Sequence, residues 1–237
     1  MHLKNTIIIT GATRGIGLAI LKRFLKSGFD AAFCGTNPDR VEQMTHLLQA
    51  EFPQSRIQGY VACLDSKEEA IAFSKNAVGF LGGCTVLVNN AGTFMPGSVL
   101  SEEDGVLEKL FEVNVSSAYH VSRTVIPKMA DKNRSHVFNM CSIASIVAYP
   151  NGGSYCISKF ALLGLSKLLR EELKPRGICV TAVIPGATLT DSWANSDLPE
   201  SRFIKPENIA ELMFNAWLCN ENACTEELLI RPVAGDI

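Results

Sequence analysis

Short apolar, β-branched runs recur at residues 5–10, 31–35, 57–63, 84–89, 136–141, 178–184 and 226–231. Most of the segments between them carry helical periodicity: 15–27, 38–51, 66–81, 102–130, 155–174 and 206–219. Strand and helix alternating at this spacing predict parallel strands joined by right-handed crossovers. The runs are apolar throughout rather than alternating, the pattern of strands buried on both faces. In the first helix, Ile16, Ala19, Ile20 and Phe24 share one stripe, and Gly28 follows as a cap. Ser101 opens Ser-Glu-Glu-Asp, which reads as an N-cap followed by acidic first-turn residues that suit the helix dipole. No repeat, low-complexity tract or linker divides the chain. The expectation is an α/β fold: one doubly wound parallel sheet of about seven strands, flanked by helices, over residues 1–237.

Length and charge narrow the function classes. At 237 residues one large domain is expected, and 47% apolar residues supply a sizeable core. With 22 Lys+Arg against 24 Asp+Glu the net charge is −2, which excludes a strongly basic nucleic-acid binder or a polybasic membrane patch. No apolar run approaches the roughly 20 residues of a membrane span. The opening Met-His-Leu-Lys-Asn lacks a signal-peptide layout, so a cytoplasmic protein is expected. None of the eight cysteines forms a C-x-x-C pair. Cys34, Cys63, Cys84, Cys141 and Cys179 fall in or beside the apolar runs, where reduced cysteines act as small core hydrophobes. His2, His46, His120 and His136 are scattered, so no metal site is expected.

Directly after the first strand comes Thr-Gly-Ala-Thr-Arg-Gly-Ile-Gly, residues 10–17, opening the first helix. Gly11 permits a sharp turn, Gly15 lets backbone approach a pyrophosphate, and Gly17 lets the helix sit close on the strand. The helix N-terminus offers free N–H groups and a favourable dipole to phosphate charge. A tight structural turn also suits three glycines, but strand before and helix after is the context that dinucleotide binding requires. NAD-specific versions place an acidic residue about 20 positions further on. Here that position is Asn37, and the second strand ends Cys34-Gly35-Thr36-Asn37 without a carboxylate. Asp30 precedes that strand and falls at the wrong end of the sheet. Thr36 and Asn37 leave room for a 2′-phosphate, which Arg14 can pair with, while Arg40 begins the next helix. NADP(H) is favoured as cofactor and NAD(H) is the alternative, with both arginines then simply solvated.

Four tyrosines and twelve lysines make a chance Tyr-x-x-x-Lys uncommon, and one occurs: Tyr155 and Lys159. On a helix that spacing puts both side chains on one face. An ammonium beside a phenol favours the phenolate, lowering a pKa that starts near 10. Bringing it to about 7 takes roughly 4 kcal/mol of differential interaction. A surface Tyr–Lys pair is the plain alternative, but other groups converge. Gly11, Thr36, Asp65, Asn89-Asn90-Ala91-Gly92, Ser142 and Pro185-Gly186 each lie just past the carboxyl end of an expected strand, the ligand edge of open parallel sheets. Asn114, a poor helix former within a long helical stretch, is expected to break its helix and free a backbone carbonyl.

In these residues the sequence resembles the short-chain dehydrogenases/reductases. The resemblance rests on residues 10–17, Asn-Asn-Ala-Gly at 89–92, Asn114, Ser142 in Met-Cys-Ser-Ile-Ala-Ser, Tyr155-x-x-x-Lys159 and Pro-Gly-Ala-Thr-Leu-Thr at 185–190, in that order. It implies a Rossmann-like fold and a set of roles. Tyr155 would exchange a proton with the substrate oxygen, and Ser142 would hydrogen-bond the same atom. Lys159 would assist Tyr155 and bind the nicotinamide ribose, and Asn114 would hold a water in a relay to Lys159. Cofactor contacts would come from Gly11, Thr13, Arg14, Gly15, Ile16, Gly17, Thr36, Asn37, Asp65, Asn89, Ala91, Gly92, Tyr155, Lys159, Pro185, Gly186, Thr188 and Thr190. Among these, Asp65 would bond the adenine amino group and Thr190 the carboxamide.

The departures are few. Cys141 replaces a serine that often precedes the catalytic one. The substrate lid, 187–205, is short and carries Trp193, and the end Glu-Glu-Leu-Leu-Ile-Arg-Pro-Val-Ala-Gly-Asp-Ile lacks a glycine-rich last strand. The implied activity is an NADP(H)-dependent carbonyl reductase or alcohol dehydrogenase acting on a small molecule, of the 3-oxoacyl thioester or small-carbonyl type. The alternatives are an NAD-linked hydroxysteroid or sugar alcohol dehydrogenase, and a non-catalytic dinucleotide sensor. The resemblance also implies a homodimer or homotetramer, with the helices at 102–130 and 155–174 packed across a two-fold axis. Ala161, Leu162, Leu165, Leu168 and Leu169 add to the apolar character of the second of them.

Overall fold

In the computed structural model, which describes residues 4–131, 134–193 and 196–236, seven strands make one all-parallel sheet. The chain runs β1 (Thr6–Ile9), α1 (Gly15–Leu25), β2 (Asp30–Gly35), α2 (Pro38–Glu51), β3 (Ile57–Val61), α3 (Lys67–Leu81) and β4 (Val86–Asn89). It continues through α4 (Val106–Phe111), α5 (Ser117–Val125), β5 (His136–Met140), α6 (Gly153–Leu173), β6 (Cys179–Pro185), α7 (Pro206–Leu218) and β7 (Glu227–Ile230). The strand order is β3-β2-β1-β4-β5-β6-β7, so the winding reverses between β1 and β4 and opens a crevice at their carboxyl ends.

Alternation along β1 divides the core. Ile7 and Ile9 pack on one face with Ile20, Leu21 and Phe24 of α1 and Met213, Phe214 and Trp217 of α7. Ile8 packs on the other with Ala70, Phe73 and Ala77 of α3 and Val121 and Val125 of α5. Edge-on rings join α1 to α7: Phe24 lies 5.0 Å from Phe29 and 5.2 Å from Phe214, and Phe29 4.9 Å from Trp217. As expected, Gly28 ends α1 in the left-handed region (φ +84°), and the Gly28 and Phe29 N–H groups donate back to Leu25 O and Phe24 O.

Five expectations are corrected. Burial on both faces describes β1, β2, β4, β5 and β6, but β3 and β7 are sheet edges and stay half-exposed. Because β3 ends at Val61, Cys63 lies beyond it and is exposed rather than part of the core. The stretch 102–130 is not one helix. α4 begins only at Val106, after Gly105 in the left-handed region, and Ser101 lies in a preceding turn. A π-helical turn over Glu112–Ser116 then separates α4 from α5, with Ser117 N–H donating five residues back to Glu112 O. Asn114 sits inside that turn, so its helix is widened rather than broken.

At the amino edge of the sheet the polar groups largely satisfy one another, although the buried Asn220 Oδ1 has no partner among the described residues. The buried carboxylate of Asp30 accepts from Lys4 Nζ at 2.8 Å, Arg56 Nε at 2.7 Å and Arg56 N at 2.9 Å. Burial pushes that carboxyl up, but Lys4 and Arg56 outweigh it and hold it below the usual range. His136, fully buried, pairs through Nε2 with Thr181 Oγ1 at 2.7 Å and accepts at Nδ1 from Asn220 at 3.3 Å. Burial drives its pKa down to about 3. No helix among the described residues is long and apolar enough to cross a membrane.

Candidate active site

The carboxyl edge is built differently. Gly11 and Gly15 take φ of +64° and +55°, the region that favours glycine. A Cβ on Gly11 would lie 3.0 Å from Ala91 Cα, and one on Gly17 would strike the Gly11 carbonyl and the Asn90 amide. The loops after β1 and β4 are thus in direct contact. Asn90 stitches them, donating to Thr10 O at 2.9 Å and Gly11 O at 2.8 Å, while Thr10 Oγ1 accepts from Asn90 N and Ala91 N. Thr13 packs so close to Gly35 that no side chain fits there. Ile16 is half-buried against the core. Arg14, the N-cap of α1, makes no side-chain cap, and the first turn holds no acidic residue. By contrast Asn37 caps α2 by accepting from Arg40 N at 2.8 Å, and Ser66 caps α3, whose first turn carries Glu68 and Glu69. The start of α1 therefore keeps its donors and dipole for an anion.

Thr36, Asn37 and Asp65 are exposed on the same rim, and no carboxylate stands at the end of β2. The Arg14 guanidinium reaches across the rim to pair with Asp191, both side chains being largely exposed.

On the other side of the crevice the candidate catalytic residues come together. Lys159, buried in α6, donates from Nζ to Met140 O at 2.8 Å and lies 5.7 Å from the centre of the Tyr155 ring. A Cβ on Gly92 would fall 3.2 Å from Asn114 Oδ1 and 3.5 Å from Lys159 Nζ, so these three residues share one small space. The Asn114 amide is locked: Oδ1 accepts from Thr93 N at 2.8 Å, and Nδ2 donates to Thr93 O and Ser158 Oγ, both at 3.0 Å. Ser158 in turn donates to Tyr155 O at 2.8 Å, tying the widened turn to the helix that carries Tyr155. The Tyr155 ring meets the edge of Phe94 at 4.8 Å. Ser142 lies two residues past β5 and caps a short turn, Ile143–Ser145, that packs against α6. Cys141 is buried with its sulfur 4.0 Å from Ser166 Oγ, a packing position.

Not every motif residue faces the crevice. The Asn89 side chain turns inward, donating to Ser122 Oγ at 2.9 Å and Asn139 Oδ1 at 2.8 Å. Pro185 ends β6, and Gly186 N donates to Ile230 O at 2.8 Å. Thr188 is buried, with Oγ1 donating to Gly186 O at 3.0 Å, and Thr190 stands against Gly15. The segment 187–205 is fastened at its root, where Leu189 N donates to Ile204 O and Ile204 N to Ala187 O. Trp193 leans on Phe203 at 5.2 Å, and residues 194 and 195 of the expected lid lie outside the described residues. One contributor escapes the sequence patterns. Glu102 accepts from Ser154 N at 2.9 Å and from Ser154 Oγ, capping α6 one residue before Tyr155.

Residues 5–201 match the short chain dehydrogenase family. The chain belongs to that family. It is accordingly an NAD(P)-dependent oxidoreductase. Among its relatives is a 3alpha-hydroxysteroid dehydrogenase of Mediterraneibacter gnavus, 34% identical over 92% of this chain and 90% of that one. Another is a 3-oxoacyl-[acyl-carrier-protein] reductase of Rickettsia prowazekii, 29% identical over 92% and 90%. Its structure resembles that of an alcohol dehydrogenase from Thermococcus sibiricus complexed with 5-hydroxy-NADP, with a TM-score of 0.88, 25% identity and 97% of each chain covered.

Proposed function

We propose that this protein interconverts a carbonyl and an alcohol with NADP(H), Tyr155 serving as general acid and base. The observation that carries the reading is the Lys159 ammonium. It is buried, its described partner is the neutral carbonyl of Met140, and among the described residues no carboxylate pairs with it. A buried cation left without a counter-ion is costly, and here it stands beside a phenol. It stabilises negative charge as that charge develops on the Tyr155 oxygen.

The glycine loop fits a pyrophosphate because any Cβ at Gly17 is excluded and the start of α1 is uncapped. Residues 11–17 would hold it, with Ala91 and Gly92 beside them and Pro185, Gly186, Thr188 and Thr190 at the nicotinamide end. Asp65 would take the adenine, and Thr36, Asn37 and Arg14 the 2′-phosphate, with Arg14 leaving Asp191 to do so. When bound, the nicotinamide supplies or accepts the hydride. In reduction Tyr155 donates its proton to the substrate oxygen and Ser142 hydrogen-bonds that oxygen. Lys159 stabilises the phenolate left behind, and Asn114 holds the water that returns the proton.

The lead substrates are 3-oxoacyl thioesters or small carbonyls admitted past Trp193. A hydroxysteroid reading is favoured by the name of the 34% identical relative. A sugar alcohol dehydrogenase remains the other NAD-linked alternative, and a silent dinucleotide sensor is opposed by the retention of Tyr155, Lys159 and Ser142. We assign the protein to the cytoplasm, in keeping with eight unpaired cysteines. It would act as a homodimer or homotetramer through Ile157, Phe160, Gly164 and Leu168, an exposed stripe along α6 at helical spacing. Leu162 by contrast faces the core of its own chain.

The test is NADPH consumption against a 3-oxoacyl thioester, a small diketone, an aromatic aldehyde and a ketosteroid, by wild type and Tyr155→Phe. The variant should lose about 10³-fold in turnover while keeping NADPH affinity within about 3-fold. Unchanged turnover would sink the assignment. Ketosteroid turnover with NADH preferred over NADPH would move it to the hydroxysteroid reading.

A further inference from the structure

β6 and β7 pair in parallel with Ala182 opposite Glu227, and three residues back along the same register stand Cys179 and Cys224. Neighbouring strands lie about 4.8 Å apart, within the roughly 4.4–6.8 Å between Cα atoms that a disulfide needs. Each sulfur also reaches the neighbouring segment's backbone: Cys179 Sγ lies 3.8 Å from Ala223 O, and Cys224 Sγ 3.7 Å from Val180 O. Each sulfur thus sits against the residue next to the other cysteine. Cys179 is buried, while Cys224 is half-exposed and open to a small oxidant. Their mutual influence holds the Cys224 thiol below its ordinary value and the Cys179 thiol above it, so Cys224 is the readier of the two to ionise. Arg170 faces both and favours the thiolate, whereas Glu226, bound to Arg170 at 2.9 Å, opposes it.

We propose that Cys179 and Cys224 form a redox-sensitive dithiol that closes to a disulfide on exposure to a peroxide, fastening edge strand β7 to β6. The Cys224 thiolate attacks one peroxide oxygen, so that an S–O bond forms, the O–O bond breaks and the other oxygen leaves as hydroxide, which becomes water with the proton that Cys224 released. Cys179 then attacks the sulfenic sulfur. The S–S bond forms, the S–O bond breaks, and hydroxide departs as water with the Cys179 proton. Two thiols lose two electrons, and the peroxide takes them up to become two waters. The closed loop encloses 180–223, which holds the rest of β6, the segment 187–205 and α7. Cys179 begins β6 and Pro185 ends it, about 20 Å away at roughly 3.3 Å per residue, so closure acts on stability and not on the hydride site. The inference therefore stands or falls apart from the oxidoreductase reading.

The experiment exposes the purified full chain to hydrogen peroxide and follows it by thiol titration, intact mass and a non-reducing peptide map. Two of eight thiols should disappear with the loss of two hydrogens, a peptide linking 179 to 224 should appear, and the unfolding midpoint should rise by about 5 °C, all reversed by dithiothreitol. Cys224→Ser should abolish the link and the midpoint shift. Cys179→Ser should leave a sulfenic acid at Cys224 that dimedone captures. Oxidation confined to the exposed Cys63 or Cys219, or a link without the midpoint shift, would overturn the proposal. The wild-type peptide map decides even if a variant fails to fold.

Discussion

The two edges of one sheet, made from the same strands, treat polar groups in opposite ways. At the amino edge Asp30 is sealed by Lys4 and Arg56, and His136 by Thr181 and Asn220. At the carboxyl edge α1 begins without a cap, Thr36 and Asp65 face solvent, and Lys159 is buried without a carboxylate partner among the described residues. A polar cluster that is closed on itself stabilises the fold. One whose valences stay open costs stability and is kept where a ligand will complete it. The difference locates function more sharply than burial does, since both edges hold buried polar residues.

Removing the seal at the amino edge should have the largest effect on stability and none on the ligand. Asp30→Ala should cost about 3 kcal/mol in urea titration while NADPH affinity is unchanged. A weakened affinity would show that the edges are not independent. Closing the open edge is the converse experiment. Arg14→Asp gives α1 a side-chain cap like those of Asn37 on α2 and Ser66 on α3, and removes the cation proposed for the 2′-phosphate. NADPH affinity should fall about 50-fold, or roughly 2.3 kcal/mol, with no loss of thermal stability. The Arg14–Asp191 pair that it breaks is exposed and contributes little. Unaltered NADPH binding would remove Arg14 from the site. The smallest effect depends on pH. His136 stays neutral in the fold down to about 3, whereas the unfolded chain takes up a proton near 6.5. Stability is therefore full above 6.5 and is lost as pH falls toward 3, by about 2 kcal/mol at pH 5. His136→Gln should flatten that slope between pH 7 and 5 in parallel urea titrations, and an unchanged slope would acquit the histidine.

Much of this was legible because it is local. The glycine loop, Tyr155 with Lys159, and the groups following each strand are set by spacing along the chain and by the rule that crossovers return to the same edge. What the pattern missed depends on parity and on distant neighbours. Asn89 is the last residue of β4, opposite Asn139, so its side chain enters the core, and the stitching falls to Asn90 one position on. Ser-Glu-Glu-Asp has the chemistry of a cap, but its Glu102 caps α6, 52 residues away, because the loop after β4 bends over that helix. Cys63 looked apolar in context, yet β3 is an edge strand that stops short of it. The pairing of Cys179 with Cys224 needs the register of β6 on β7, which composition does not contain.

The π turn at Glu112–Ser116 has a mechanical meaning for the helices on either side of it. It carries one residue more than a regular helix needs, and each residue turns a helix by about 100°. The turn therefore acts as a phase shifter, setting the faces of α4 and α5 out of step. Leu110 can point into the core on one side, and Ala118 and Val121 on the other, with Asn114 held between them at an angle no uninterrupted helix offers. A deletion of one residue there would leave composition and helix content almost untouched and rotate the crevice wall out of register.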